Sequence, residues 1–294
     1  MEKLEDILRR FGNKIADANG ENKAGQGTQP ALLPDRHPNR DFFVADILDW
    51  AIKGDHASME HPMFSLSKKL QTDVRRYEHN GNTIVIEPGR HGMPTIWDKD
   101  VLIYAVSQLI AALNQDRQTS RTIRFTAYDF LVSTNRHTGG GDYEQLAQSL
   151  RRLAGTRLET NIATGGLRIK HGFSLLDEWR TIEKAPSGRL VAVEITLSQW
   201  LYNAVIAREV LTLNRDYFRL NGGLERRLYE LARKHCGNQE QWIISLELLH
   251  KKAGSTAPVW KFRQVLARVI HSNEVPDYRI DYQPKTNQVV FVRR

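Results

Sequence analysis

Apolar residues recur at helical spacing in two separate parts of the chain. In the first part, residues 98–113 carry apolar side chains at positions 101, 102, 105, 109, 110 and 113, which predicts an amphipathic helix. A short strand is predicted at 122–126 and a second helix at 127–133. Three consecutive glycines at 139–141 predict a turn, and Asp142 is a favourable N-cap for a third helix that reaches about residue 154.

Two alternating segments follow the third helix. Residues 157–162 and 167–173 flank a Thr-Gly-Gly sequence and predict a β-hairpin. Helix, strand, helix, turn, helix and hairpin is the element order of a winged helix, which is a variant of the helix–turn–helix. Residues 189–214 are predicted as strand, helix and strand, and they connect this copy of the pattern to a second one.

The second copy has the same order of elements. Its predicted elements are a helix at 222–235, a strand at 242–245, a helix at 246–253, a turn at 254–256, a helix from Pro258 to about 271, and strands at 278–282 and 288–292. The predicted fold class is therefore α+β, with two tandem winged-helix domains and an N-terminal extension. The predicted domains are 96–210 and 211–294.

The chain before residue 96 differs in composition. Residues 13–39 are rich in Gly, Asn, Gln, Asp and Pro and show little periodicity, so residues 1–40 are predicted to be a flexible N-terminal region. Residues 41–95 are predicted to be an extension that packs on the first domain. It contains Asn80-Gly81 between two β-prone runs, which predicts a hairpin.

The third helix of each copy has an outer face suited to hydrogen bonding with DNA bases, where Arg favours guanine and Gln favours adenine. On the first of these helices the predicted DNA-binding residues are Gln145, Gln148, Ser149, Arg151 and Arg152. On the second they are Lys261, Arg263, Gln264, Arg268 and His271, opposite Val259, Phe262, Leu266 and Ile270. In the hairpins they are Arg168, Lys170 and Lys285. The alternatives are an ordinary solvent-facing helix surface and, for the hairpins, protection of strand edges by cations.

The net charge is concentrated near the C-terminus. The chain has 42 Lys and Arg against 34 Asp and Glu, a formal charge of +8, and residues 211–294 alone have 15 against eight. A basic segment of this size indicates a polyanion partner, and nucleic acid is the commonest polyanion. The alternative is a basic surface that only maintains solubility.

Several function classes are disfavoured by the sequence. The single cysteine, Cys236, excludes an internal disulfide and favours a reducing cytoplasm, and the longest apolar stretch, 101–113, is too short for a membrane span. There is no phosphate-binding loop and no His-x-His pair, so no catalytic residue, metal site or cofactor is predicted. An unrecognised enzyme remains an alternative. Five tryptophans are interpreted as core or boundary residues: Trp97, Trp179, Trp200, Trp242 and Trp260.

Eight stretches of the chain are similar to one known protein family. They are SLSKK at 65–69, RYEHNGN at 76–82, WDKDVLIYAVSQLIAALN at 97–114, RTIRFTAYDFLVSTNRHTGGGDYEQL at 121–146, LAGTRLETNI at 153–162, VEITLSQWLYNAV at 193–205, EVLTLNRDYFRL at 209–220 and ERRLYELARKHCG at 225–237. Over roughly residues 41–294 the chain resembles the plasmid replication initiator protein A family.

The resemblance implies a function and partners. It implies tandem winged helices that bind repeated double-stranded DNA sequences at a plasmid origin and recruit host replication proteins without catalysing a reaction. It also implies self-association as a homodimer. A winged-helix transcriptional regulator without initiator activity, which could repress its own promoter, is the alternative that the residues leave open.

Overall fold

A computed structural model of the chain describes residues 32–37, 46–48, 61–164, 166, 172–184, 189–237 and 239–294. The fold is a mixture of helices and antiparallel sheets, as predicted. It divides into two compact units, which we call the central unit (Pro34–Phe218) and the C-terminal unit (Leu32, Leu33 and Arg219–Arg294). The division therefore falls between residues 218 and 219, whereas the sequence predicted a boundary at 210.

The described residues of the central unit form four helices. In chain order they are α1 (Lys99–Asn114), α2 (Ala127–Ser133), α3 (Gly140–Gly155) and α4 (Gln199–Ile206). Thr126 caps α2 and Ser198 caps α4, because each side chain accepts a hydrogen bond from a backbone N–H in the first turn. The apolar faces of these helices bury Val101, Phe130, Leu150 and Trp200 in one core.

The strands that the structure describes in the central unit form three sheets. The strands are β1 (Asp46–Leu48), β2 (Arg75–His79), β3 (Asn82–Glu87), β4 (Thr122–Thr126), β5 (Arg157–Thr160), β6 (Gly172–Phe173), β7 (Leu176–Lys184), β8 (Arg189–Leu197) and β9 (Val210–Thr212). Strand β1 pairs with β9, the second sheet has the order β2-β3-β5-β6, and the third has the order β4-β8-β7. Strands β2 and β3 form the hairpin predicted at Asn80-Gly81, where both residues adopt positive φ.

The strands predicted at 157–162 and 167–173 do pair with each other, but they belong to a different sheet from β4. Strand β5 pairs with the short strand β6, where Leu158 lies opposite Phe173, and on its other side with β3, where Leu158 lies opposite Ile86. The long hairpin beside α3 is instead formed by β7 and β8, and β8 is the centre of the β4-β8-β7 sheet. Buried Val193, Ile195 and Leu197 hold β8 on the core. The strand predicted at the start of 189–214 is thus part of the first pattern and not a connection.

The C-terminal unit follows the predicted order. After a short 3-10 helix (Arg215–Arg219) come α5 (Gly223–Cys236), β10 (Gln241–Ser245), α6 (Leu246–Ala253), α7 (Val259–Ser272), β11 (Tyr278–Gln283) and β12 (Gln288–Arg293). The sheet order is β10-β12-β11, so the last strand is central, as β8 is in the third sheet of the other unit. The core of this unit is built from Leu228, Leu249, Phe262, Leu266 and Phe291.

Part of the segment predicted to be flexible is held by hydrogen bonds. In the central unit, the Arg36 backbone N–H donates to Asn135 Oδ1 (2.8 Å), Arg36 Nη1 donates to the Asn135 carbonyl (2.7 Å), and Asn135 Nδ2 donates to the Pro34 carbonyl (3.1 Å). The prediction of flexibility over residues 1–40 is therefore wrong for 34–37, because the loop between α2 and α3 supplies their partners. Residues 1–31 and 38–40 lie outside the described residues.

Candidate nucleic-acid interface

Helix α7 is positioned by α6 and by the turn between them. Ser245 caps α6, and Gly254 ends it in the left-handed region with φ of 68°, where glycine is favoured. His250 Nε2 donates to the Ala257 carbonyl (2.8 Å), which fixes the turn before Pro258. Pro258 precedes the first residue of α7, where a missing N–H donor costs nothing. The two helices are thus consecutive and are joined by a short turn.

The inner face of α7 is apolar and the outer face is basic. Phe262, Leu266, Ala267 and Val269 are buried against the unit. On the outer face, the predicted DNA-binding residues Lys261, Arg268 and His271 are exposed and Gln264 is half-buried. The helix has three Lys and Arg side chains and no Asp or Glu. The structure therefore brings these four residues together on one face, as the spacing predicted.

Arg263 lies away from that face. It is half-buried, and its Nε atom is enclosed by protein without a hydrogen-bond partner among the described residues. Of the five residues predicted on α7, Arg263 is therefore the one that the structure separates from the others. Arg268 also acts within the unit. Burial raises the pKa of Glu225 at the start of α5, and the positive charge of Arg268 offsets part of this increase.

Two residues at the start of α7 depart from the sequence interpretation. Trp260, interpreted as a core or boundary residue, has 54% of its surface exposed, and Val259, predicted on the inner face, has 36% exposed. Trp260 precedes Gln264 by four residues and Arg268 by eight, so these three side chains share one helical face. The spacing in the sequence therefore indicates that Trp260 lies on the outer face of α7.

The β11–β12 hairpin presents Lys285 at its turn. Lys285 is exposed, and the turn is held by Asn287, which has φ of 53°, accepts a hydrogen bond from the Tyr282 hydroxyl (2.7 Å) and donates one to Glu247 Oε1 on α6 (2.6 Å). The hairpin tip is thereby held against α6. The other two predicted hairpin residues, Arg168 and Lys170, lie outside the described residues.

Helix α3 of the central unit offers fewer available groups than predicted. Gln145 is exposed, but Gln148 Nε2 donates to Glu144 Oε1 (2.7 Å) and Arg151 Nη1 donates to the same atom (3.2 Å). The helix carries two acidic and two basic residues, so its formal charge is zero. Its outer face is polar and electrically balanced, in contrast to α7.

Ser149 and Arg152 are not on the outer face of α3. Ser149 is 2% exposed, and its hydroxyl donates to Asp98 Oδ1 (2.6 Å). Arg152 donates from Nε to Asp98 Oδ2 and from Nη2 to Oδ1, both at 2.7 Å. The prediction that these side chains face outward is wrong, because a carboxylate just before α1 holds both of them.

Asp98 forms a buried ion pair with Arg152. Burial alone would raise the pKa of Asp98, but the hydrogen bonds and positive charge of Arg152, together with the Ser149 hydroxyl and the Thr95 backbone N–H, hold it below the usual value. Asp98 therefore remains ionised and joins the start of α1 to α3.

A groove of about 610 Å³ lies in the central unit between α3 and β7. Tyr143, Ala147, Trp179 and Leu190 give it apolar walls, and Glu144, Arg151 and Glu183 lie at its margin. Two carboxylates against one guanidinium do not favour a polyanion. The groove is therefore a weaker candidate for contact with nucleic acid than the outer face of α7.

The described residues contain no group of three or more His, Cys, Asp and Glu side chains that could hold a metal ion. No helix among them combines the length and apolar character needed to cross a bilayer.

Comparison with known proteins identifies the class. The family model for replication initiator protein A matches residues 53–280, and the chain belongs to this family of replication initiators. It is 39% identical over 259 residues to a putative replication protein of Wigglesworthia glossinidia brevipalpis, covering 87% of this chain and 94% of that protein. The resemblance stated from the sequence is confirmed.

Two solved structures share the fold. A crystal structure of domains 2 and 3 of RctB, a selenomethionine derivative, has a TM-score of 0.57 and 12% identity and covers 78% of this chain and 94% of that one. A second crystal structure of RctB domains 2 and 3 has a TM-score of 0.56 and 12% identity and covers 79% and 95%. At this identity the likeness concerns the arrangement of the backbone.

Proposed function

We propose that the protein binds double-stranded DNA sequence-specifically at a plasmid replication origin and initiates replication there. The observation that carries this proposal is the outer face of α7, where Lys261, Gln264, Arg268 and His271 lie together on a helix without acidic residues. Membership of the replication initiator protein A family supports the role at an origin. We propose that α6, α7 and the turn between them form a helix–turn–helix. This motif allows α7 to contact DNA bases, because the B-DNA major groove, about 12 Å wide, admits an α-helix.

Both units are proposed to be winged helices. The C-terminal unit has the order α5, β10, α6, α7, β11 and β12 with a central last strand, and α1, β4, α2, α3, β7 and β8 have the same order and sheet arrangement in the central unit. In this class the second helix of the helix–turn–helix enters the major groove. The hairpin turn with Lys285 then contacts phosphates, which position the protein without reporting base sequence.

The protein acts by assembly and performs no chemistry itself. Bound at repeated origin sequences, it recruits host replication proteins, and it forms a homodimer in at least one of its states. Membership of a family of replication initiators supports the recruitment of host replication proteins, and the family resemblance of the sequence supports the homodimer.

Footprinting on the plasmid that encodes the protein tests the proposal. We expect regularly spaced protected repeats in the origin region, and we expect the double variant Lys261→Ala/Arg268→Ala to lose them. Arg90→Ala removes an exposed charge of the central unit and is the matched control, with protection unchanged. Protection scattered without sequence preference, or full protection by the double variant, would refute the assignment of α7.

A plasmid maintenance assay separates initiation from transcriptional regulation. An origin fragment should replicate in a permissive host when the intact protein is supplied, and should fail with the double variant. Specific binding without replication would favour the regulator.

A further inference from the structure

Two adjacent apolar side chains are exposed at the start of α7. Trp260 has 54% of its surface exposed and Val259 36%. Among the described residues of the C-terminal unit, Ile243 on β10 is the other large apolar side chain that is exposed. A tryptophan in this position exposes a large indole surface that water solvates poorly. Such residues concentrate at binding surfaces.

Trp260 is not part of the buried core of the unit. The inner face of α7 is complete without it, because Phe262, Leu266, Ala267 and Val269 are each at most 2% exposed. Trp260 lies on the opposite side, four residues before Gln264 and eight before Arg268. The indole therefore belongs to the face already proposed to contact DNA.

The surrounding charge selects the partner. Lys261 follows Trp260 directly, and α7 contains no Asp or Glu. A basic helix face with one exposed indole fits an anionic partner that has a small apolar group at its surface. Duplex DNA has such a group in the major groove, the 5-methyl group of thymine. The first residues of the second helix of a helix–turn–helix are the ones that reach base edges.

We propose that Trp260 contacts a thymine 5-methyl group in the major groove and so contributes to the sequence preference of the protein. The proposal rests on the DNA-binding function proposed above and adds one residue and one base to it. Four residues of α-helix span about 6 Å, so the thymine lies within about two base pairs of the base that Gln264 contacts. Helix α3 has Gly141 at the corresponding second position, so the central unit makes no equivalent contact.

Replacement of thymine by deoxyuridine tests this contact, because deoxyuridine pairs identically and lacks only the methyl group. The duplex is the sequence that the full-length protein selects from a randomised pool, and each thymine is replaced singly. We expect one or two thymine positions, in the part of the site that α7 contacts, at which replacement weakens binding of the wild-type protein about fourfold. This is the effect of burying one methyl group. In Trp260→Ala the duplexes with thymine and deoxyuridine should bind equally at those positions.

Two further variants complete the design. Trp260→Phe keeps an aromatic ring and should retain part of the discrimination, whereas Val74→Ala, at a residue 64% exposed in the central unit, should change nothing. Thermal unfolding by circular dichroism verifies that each variant folds.

The outcomes that overturn the proposal are distinct. Deoxyuridine effects that persist in Trp260→Ala, or a loss of affinity in that variant that is equal for both bases at every position, would exclude a methyl contact. DNA binding unchanged in Trp260→Ala, together with loss of binding to host replication proteins, would assign the indole to a protein surface. If no sequence is selected from the pool, the proposed DNA-binding function itself fails.

Discussion

Replacement of Asp98 by alanine should destabilise the central unit strongly. The carboxylate accepts four hydrogen bonds: two from Arg152 at 2.7 Å, one from the Ser149 hydroxyl at 2.6 Å and one from the Thr95 backbone N–H at 2.6 Å. The side chain of Asp98 is 3% exposed and that of Arg152 22%. Asp98→Ala removes the acceptor and leaves Arg152 mostly buried without its counter-charge.

The magnitude follows from that burial. Removal of one partner of a buried ion pair costs about 3–5 kcal/mol of unfolding free energy. Because part of Arg152 remains accessible to water, we expect about 3 kcal/mol, at the lower end. The surface pair Arg121–Asp177, with side chains 35% and 40% exposed, provides the control, and Asp177→Ala should cost at most about 1 kcal/mol.

The pH dependence has a defined sign. The pKa of Asp98 is lowered in the folded protein, relative to about 3.9 in an unfolded chain. Its contribution to stability is therefore present above the unfolded pKa and is lost as the pH falls through the folded pKa. Asp98→Asn should lack this acid-dependent part of the unfolding free energy.

These free energies are measured by urea unfolding. Circular dichroism monitors the whole protein and hydrogen exchange of the α3 amides monitors the central unit, because a protein of two units need not unfold in one step. The double variant Asp98→Ala/Arg152→Ala should lose less than the sum of the single losses, with a coupling energy of at least about 1 kcal/mol. A loss in Asp98→Ala no larger than in Asp177→Ala, or additive single losses, would refute the reasoning.

Three further predictions concern the C-terminal unit. Arg268→Ala should weaken specific binding by about 1–3 kcal/mol and relax the preference at one base pair in mobility-shift titrations; an unchanged affinity at fixed salt would contradict the base contact. DNA affinity should fall steeply between low and physiological salt, because each neutralised phosphate releases counterions, and a flat dependence would contradict the interface. Cys236 is buried, and burial raises the pKa of its thiol, so iodoacetamide should modify the folded protein at least about tenfold more slowly than the unfolded one; equal rates would contradict this burial.

Local patterns in the sequence were sufficient to predict α7 and its basic face. The inner residues Phe262 and Leu266 are four apart, and the outer residues Lys261, Gln264 and Arg268 keep helical spacing with them, so one helix determines both faces. Trp260 followed the same periodicity, but its interpretation rested on the absence of a tryptophan cluster and not on its position in the helix.

Contacts between distant parts of the chain could not be predicted in this way. Strand β5 alternates as a hairpin strand should and pairs with β6, but its second partner, β3, lies more than 70 residues earlier, where Leu158 meets Ile86. Arg152 lies on the polar part of α3, yet its partner Asp98 is 54 residues away, and only the folded arrangement of α1 and α3 brings them together. The spacing along one element specifies which face a residue occupies and not which other element covers that face.

The two third helices consequently differ in what they can contribute to DNA binding. Helix α3 is electrically neutral, and its Arg152 is held by Asp98 while Arg151 pairs with Glu144. Helix α7 has three basic residues and no acidic ones. Because affinity for a polyanion depends on neutralised phosphates, we expect the C-terminal unit to supply most of the electrostatic attraction to DNA. We expect the central unit to contribute through the polar outer face of α3 and through Gln145, which is exposed. The net charge of +8 thus describes one basic unit joined to a nearly neutral one.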